Sequence, residues 1–191
     1  MEELRDRDVL ILDAAGHTRT LLRQILALLG VSRVATAGNS DEALALLREK
    51  AFDIIFCDEN ARPHSPAEFV KSLRCDVTTL NVVVPLVLVS TAARFEKVKE
   101  WRDAGGNDIV VKPISPEAIK QRMASLVLCP KPFVTSKGFI GPDRRRNEDE
   151  RRHLGERHPT APDRRNGPEQ GSVYAAPRVR ILEPAPDGNP G

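Results

Sequence analysis

The chain has 191 residues, of which 29% are charged and 4% are aromatic, and its formal net charge at pH 7 is +2. The length suits one domain with a substantial extra segment, and the near-neutral charge excludes a histone-like protein that binds nucleic acid by bulk electrostatics. No apolar run approaches the roughly 18–20 residues that cross a bilayer, and the charged N-terminus is unlike a secretory signal. The three Cys lack metal-ligand spacing, so we expect reduced thiols in a cytoplasmic protein without membrane insertion.

Glycine and proline are concentrated toward the C-terminal end of the chain. Residues 130–191 hold seven of the 12 Gly and ten of the 15 Pro, and apolar periodicity stops near Leu128. A segment of this composition buries too little surface to offset the entropy of ordering it. We therefore predict a globular body, residues 1–129, followed by a largely disordered tail, residues 130–191.

Through the body, short apolar runs alternate with segments of helical periodicity. The predicted strands are 9–13, 31–37, 52–58, 85–90 and 107–112. The predicted helices are about 17–30, 40–49, 66–74, 94–104 and 116–128, with Ser40 and Ser115 as N-caps and Gly30 as a stop signal. Continuous apolar strands that alternate with helices indicate an α/β fold: a doubly wound, five-stranded parallel sheet of the flavodoxin-like kind.

Four polar residues follow the predicted strands at their carboxyl ends, where functional groups collect in such a sheet. They are Asp13, Asp58, Ser90 and Lys112. The set suits phosphoryl transfer to a carboxylate. Asp58 would accept the phosphoryl group, Asp13 and Asp58 would hold Mg²⁺, Ser90 would donate to a phosphoryl oxygen, and Lys112 would pair with the acyl phosphate.

At these residues the body resembles the receiver domain of two-component response regulators, the CheY-like fold. The resemblance covers about residues 7–128 and is carried by LILDAAGHTR, FDIIFCDENA, PLVLVSTA and IVVKPIS. It implies a phosphoacceptor at Asp58 and a histidine kinase as the donor. The sequence departs from the family where Ala14 replaces a second acid, where Ile109 replaces an aromatic residue, and in the loop after Asp58. The alternative is a degenerate receiver that serves as a docking scaffold.

The tail carries a second pattern, in which arginine and acidic residues are interleaved. Pro-Asp-Arg-Arg occurs at 142–145 and again at 162–165, and eight Arg with no Lys lie between 144 and 165. Arginine grips phosphate and the O6/N7 edge of guanine, while a carboxylate accepts from the donors on guanine's other edge. The pattern indicates a ligand with guanine and phosphate groups; a charge-balanced linker is the alternative.

A receiver followed by this tail resembles the CheY-like cyclic-di-GMP (c-di-GMP) effectors, the Cle family. The resemblance implies that residues of about 139–166 capture c-di-GMP, as an intercalated dimer, and become ordered on binding. It also implies that the loaded protein docks on the flagellar motor switch at the flagellated pole and damps motility. The residues implied as ligand contacts are Asp143, Arg144, Arg145, Arg146, Asp149, Arg151, Arg152, Arg157, Asp163, Arg164 and Arg165.

Three functions are therefore to be compared. The first is a non-enzymatic c-di-GMP effector, for which we expect no DNA partner. The second is a single-domain response regulator that is phosphorylated at Asp58 in a phosphorelay. The third is an arginine-tailed RNA or DNA binder, whose binding would fall steeply with salt.

Overall fold

The computed structural model describes residues 4–76, 78–136, 139–143 and 173–174. It confirms the α/β fold, with five parallel strands in the order β2-β1-β3-β4-β5. The strands are β1 Asp8–Leu12, β2 Arg33–Ala37, β3 Ile54–Asp58, β4 Leu86–Ser90 and β5 Asp108–Val111. In this order the carboxyl ends of β1, β3, β4 and β5 lie along one edge of the sheet.

Helices connect the strands. They are α1 Gly16–Leu28, α2 Ser40–Glu49, α3 Pro66–Cys75, α4 Phe95–Asp103 and α5 Pro116–Met123, which continues as a π-helical segment, Ala124–Leu128. A polar side chain caps the amino end of α2, α3 and α5. Ser65 and Ser115 each accept a hydrogen bond from the backbone at the start of α3 and α5, ahead of a proline. Within the described ranges, no helix combines the length and apolar character of a membrane span.

The start of α2 differs by one residue from the prediction. Asn39 is the N-cap, and its Oδ1 accepts a hydrogen bond from the amide of Glu42 at 2.9 Å. Ser40 is instead the first helical residue; it is buried, and its Oγ accepts from the amide of His64 at 3.0 Å. Asparagine and serine are comparable caps, so the pattern alone did not choose between neighbours.

The core consists of two apolar layers, one on each face of the sheet. Alternate strand residues face opposite layers, as the pleat of a strand requires: Leu10 and Leu12 pack with α2, α3 and α4, whereas Val9 and Ile11 pack with α1 and α5. Burial on both faces explains why β1, β3 and β4 contain nearly continuous apolar runs.

A small second sheet follows the body, in a segment that the prediction assigned to the disordered tail. Strand β6, Phe133–Ser136, pairs antiparallel with β7, Phe139–Pro142, and with β8, Val173–Tyr174. The β6–β7 hairpin packs on the body next to Gly105, whose φ is +100° and where any side chain would meet the carbonyl oxygen of Ile140. Gly105 precedes β5, so the hairpin lies at the amino ends of the strands, opposite the polar strand ends.

Candidate functional site

Two carboxylates lie side by side where β1 and β3 end. The parallel register of these strands makes Asp13 and Asp58 neighbours, and each residue is 4% exposed. Asp13 Oδ1 accepts a hydrogen bond from the amide of Ala15 at 2.7 Å. Asp58 Oδ2 accepts from the amide of Asn60 at 2.9 Å. The backbone of the two following loops therefore fixes the orientation of both carboxylates.

Lys112, just after the edge strand β5, brings a cation to this pair. Its Nζ donates to Asp58 Oδ1 at 2.6 Å, and the side chains of Lys112 and Asp58 are 26% and 5% exposed. Because the pair is largely shielded from water, the attraction exceeds that of a surface ion pair. The structure thus brings together three of the four predicted strand-end groups.

This arrangement suits phosphoryl transfer to Asp58. One carboxylate oxygen of Asp58 would form a bond to the phosphorus of a donor, while the bond to the donor's leaving group breaks and that group departs with the electron pair. The product would be an acyl phosphate, and the ammonium of Lys112 would offset its added negative charge. The phosphoacceptor role of Asp58 stays a prediction.

The electrostatics of Asp13 oppose its ionisation. Burial raises the pKa of this carboxyl, and the negative charge of Asp58 raises it further. The hydrogen bond from Ala15 and the charges of Lys112 and Arg19 act in the other direction but do not cancel the effect. An ionised Asp13 therefore costs folding free energy at neutral pH.

Replacing Asp13 by asparagine should raise the free energy of unfolding at pH 7 by about 1 kcal/mol, because it removes a buried charge and keeps an acceptor for Ala15. Because the pKa of Asp13 is raised in the folded state, its ionisation lowers stability at neutral pH. This cost disappears as the pH falls toward the pKa of the unfolded state, so the stability gain from Asp13→Asn should shrink near pH 4. Urea denaturation at both pH values measures it. The exposed control Asp103→Asn should change stability by less than about 0.5 kcal/mol. Equal or lower stability of Asp13→Asn at pH 7 would contradict the expectation.

Asp13 and Asp58 are the predicted Mg²⁺ ligands, and their chemistry fits a hard cation. Proteins commonly hold Mg²⁺ with one or two carboxylates, waters and a substrate phosphate, and this site offers two carboxylates because Ala14 occupies the next position. When bound, the ion would offset charge on the transferred phosphoryl group. Among the described residues, no cluster of three or more His, Cys, Asp or Glu is arranged to hold a metal.

Ser90 lies at the end of β4 as predicted, but its hydroxyl contacts an unexpected partner. Its Oγ lies 2.9 Å from Oε2 of Glu59, and Ser90 is 1% exposed. Sequence reasoning did not single out Glu59. The available signal was the pair of consecutive acids that ends a buried strand, because a carboxylate in such a place needs partners.

The predicted c-di-GMP ligands lie almost wholly beyond the described part of the chain. Asp143 is described: its amide donates to the carbonyl oxygen of Pro132 at 2.7 Å, which ties it to the base of the β6–β7 hairpin. The other predicted contacts lie outside the described residues, namely Arg144, Arg145, Arg146, Asp149, Arg151, Arg152, Arg157, Asp163, Arg164 and Arg165.

Comparison with protein families gives one match over most of the body. The response regulator receiver domain matches residues 9–124. Among curated relatives, the chemotaxis protein CheY of Pseudomonas aeruginosa is 25% identical over 118 residues, which cover 62% of this chain and 94% of the relative. The virulence sensor protein BvgS of Bordetella pertussis is 32% identical over 122 residues, but these cover only 10% of that protein.

Solved structures give the same result. The chemotaxis response regulator CheY4 of Vibrio cholerae matches with a TM-score of 0.58 and 28% identity, covering 63% of this chain and 98% of that one. The receiver domain of a sensor histidine kinase from Pseudomonas aeruginosa, solved with a magnesium ion coordinated in its active-site cleft, matches with a TM-score of 0.58 at 17% identity, covering 63% and 97%. At that identity the second match shows the fold alone.

Proposed function

The chain belongs to the response regulator receiver domain family, and on this premise we propose that it is a non-enzymatic effector that binds c-di-GMP through its C-terminal segment. The loaded protein would dock on the flagellar motor switch and thereby change motility. The curated relative from Pseudomonas aeruginosa is a chemotaxis protein, which supports a partner of this kind.

The observation that carries the proposal is the attachment of Asp143 to the receiver. Asp143 opens the arginine-rich segment, and its amide is held by Pro132 at the base of a hairpin that packs on the body. A ligand captured just beyond Asp143 would therefore be held next to the receiver rather than at the end of a free chain. Capture of this kind can change the surface that the receiver offers to a partner.

The composition of the segment supports the ligand class. Its eight Arg and interleaved acids offer forks for phosphate and guanine edges, which a purely electrostatic binder of nucleic acid does not require. A compact anion with two guanines and two phosphates presents all of these groups within reach of a short chain. The same features argue against DNA as a partner.

Two large apolar side chains of α4 and β5 are exposed and could contribute to a docking site for a protein partner. Phe95 at the start of α4 is 77% exposed, and Val111 at the end of the edge strand β5 is 44% exposed. Contiguous exposed apolar surface is typical of interaction sites, and exposed large apolar side chains are candidates for such a surface. We propose this α4–β5 surface as the docking site for the motor protein.

Calorimetry with c-di-GMP tests the proposal. We expect the full chain to bind with a micromolar or lower Kd, and a chain that ends at Asp143 to show no binding. The truncation retains every residue of β6 and β7 and removes β8, and its circular dichroism spectrum should retain the receiver signal. Double replacement of Arg144 and Arg145 by alanine should weaken binding by about 1–3 kcal/mol per lost charge-assisted contact.

Two outcomes would count against the proposal. Tight binding by the truncated chain would place the ligand elsewhere. Binding that falls steeply with salt and shows no preference for c-di-GMP over an oligonucleotide would favour the RNA or DNA binder.

A second candidate is favoured by the contact between Lys112 and Asp58. A single-domain response regulator in a phosphorelay with a histidine kinase needs this ion pair, and the pair is present at 2.6 Å. That function predicts Mg²⁺-dependent labelling by acetyl phosphate, and Asp58→Asn should abolish the label. We rank the phosphorelay function second because position 14 holds alanine instead of a second acid.

A further inference from the structure

The carboxylate of Glu59 is surrounded by donors from the end of β4, the following loop and the first turn of α4. Its Oε2 lies 2.9 Å from Ser90 Oγ and 2.6 Å from Lys97 Nζ. Its Oε1 accepts from both the amide and the hydroxyl of Thr91, each at 2.6 Å. The side chain of Glu59 is 4% exposed. One side chain at the end of β3 thus ties together the end of β4, the following loop and the first turn of α4.

These contacts suit a carboxylate anion. Each oxygen of Glu59 faces two donors, and one of the four donors is the ammonium group of Lys97. The charge of Glu59 is offset mainly by Lys97, whose side chain is 49% exposed.

A phosphoryl group on Asp58 and the carboxylate of Glu59 would compete for the hydrogen bond that the Ser90 hydroxyl donates. Its hydroxyl has a single proton, and Oγ lies 2.9 Å from both the Glu59 carboxylate and the carbonyl oxygen of Ala92. A phosphoryl oxygen on the neighbouring Asp58 would need the same proton. In this chain the carboxylate of Glu59, the residue after Asp58, already lies within hydrogen-bond distance of that hydroxyl.

We propose that Glu59 is a built-in anion that takes the place of a phosphoryl oxygen and holds Ser90, Thr91 and Lys97 in one arrangement without modification of Asp58. The amino end of α4, with the exposed Phe95, is then fixed by the chain itself. This inference rests on the receiver geometry alone and is independent of the proposed binding of c-di-GMP, so either can fail without the other.

Hydrogen exchange on the full-length protein tests the inference. We expect amides of residues 91–97 to exchange at least about tenfold faster in Glu59→Ala and Glu59→Gln than in the unchanged protein, because both variants remove the charge that these donors share. The matched control Glu96→Gln removes a neighbouring exposed acid outside the cluster and should change exchange by less than about twofold. Amides of α1 and α5 should exchange at the same rate in all four proteins.

Chemical rescue distinguishes an effect of the Glu59 carboxylate charge from an effect of side-chain packing. Formate added to Glu59→Ala should slow the exchange of residues 91–97 in a saturable way, whereas sodium chloride at equal ionic strength should not. Three results would overturn the inference: acceleration below about twofold in the Glu59 variants, equal acceleration in α1 and α5, or no difference between formate and chloride.

Discussion

Replacing Arg74 by methionine should lower the free energy of unfolding by about 3 kcal/mol and loosen the β6–β7 hairpin, because buried carbonyl oxygens would lose their donors. Arg74 is 3% exposed and donates to the carbonyl oxygens of Val84 at 2.8 Å and Gly105 at 3.2 Å. Its guanidinium also lies 4.9 Å from the centroid of the Phe133 ring. One side chain of α3 therefore connects the loops before β4 and β5 with the hairpin.

The charge of Arg74 explains why the expected loss is large. Burial lowers its pKa to about 9, yet the group stays protonated at neutral pH. Its partners in the described structure are carbonyl and amide oxygens and an aromatic face rather than a carboxylate. A buried cation of this kind is stabilised by hydrogen bonds to several acceptors. Methionine has a similar length but no donor group, so it would leave these acceptors without that hydrogen bond.

Urea denaturation measures the stability loss, and hydrogen exchange of the hairpin measures its detachment. Arg48→Met is the matched control, since Arg48 makes an exposed ion pair with Asp76 at 2.9 Å and should contribute less than about 1 kcal/mol. Arg74→Lys keeps the positive charge but lacks the planar guanidinium group. Its loss of unfolding free energy should therefore lie between those of Arg74→Met and Arg48→Met. A loss below about 1 kcal/mol for Arg74→Met, or unchanged exchange in residues 133–142, would show that other contacts hold the hairpin.

The strand ends were predictable because local patterns determine them. Each buried strand reads as an apolar run that ends in a polar residue, and parallel strands bring those ends to one edge. Asp13, Asp58 and Lys112 therefore lie together as expected. The hairpin was not predictable in this way, since it is held by Arg74, which lies far from it in sequence and belongs to a helix with an ordinary amphipathic pattern.

The hydrogen-bond partner of Ser90 could not be predicted from the sequence, for a different reason. A strand-end serine near the predicted phosphoacceptor Asp58 is expected to act as a donor, and the structure places Ser90 at the end of β4. Which anion takes the proton depends on the side-chain conformation of Glu59, and no spacing rule fixes that. Lys97, in the first turn of α4, supplies the opposite charge next to the Glu59 carboxylate.

Replacing Ala14 by aspartate should raise the rate at which acetyl phosphate labels Asp58 by at least about tenfold, because the affinity of a site for a divalent cation rises with its number of carboxylates. Ala14 is exposed and directly follows Asp13, so the added carboxylate joins the predicted metal ligands without displacing a core residue. In the reaction Asp58 attacks phosphorus and acetate leaves, and intact-mass spectrometry in the presence of Mg²⁺ counts the product.

Ala51→Asp is the matched control for this substitution. It makes the same chemical change at an exposed position ahead of β3, at the opposite edge of the sheet from Asp58, and should leave labelling unchanged. Asp58→Asn in the Ala14→Asp background should remove the label. Fast Mg²⁺-dependent labelling of the unchanged protein, with no gain from Ala14→Asp, would show that two carboxylates suffice for the metal. The phosphorelay function would then rank above the effector function, because the missing acid would no longer count against Asp58 as a phosphoacceptor.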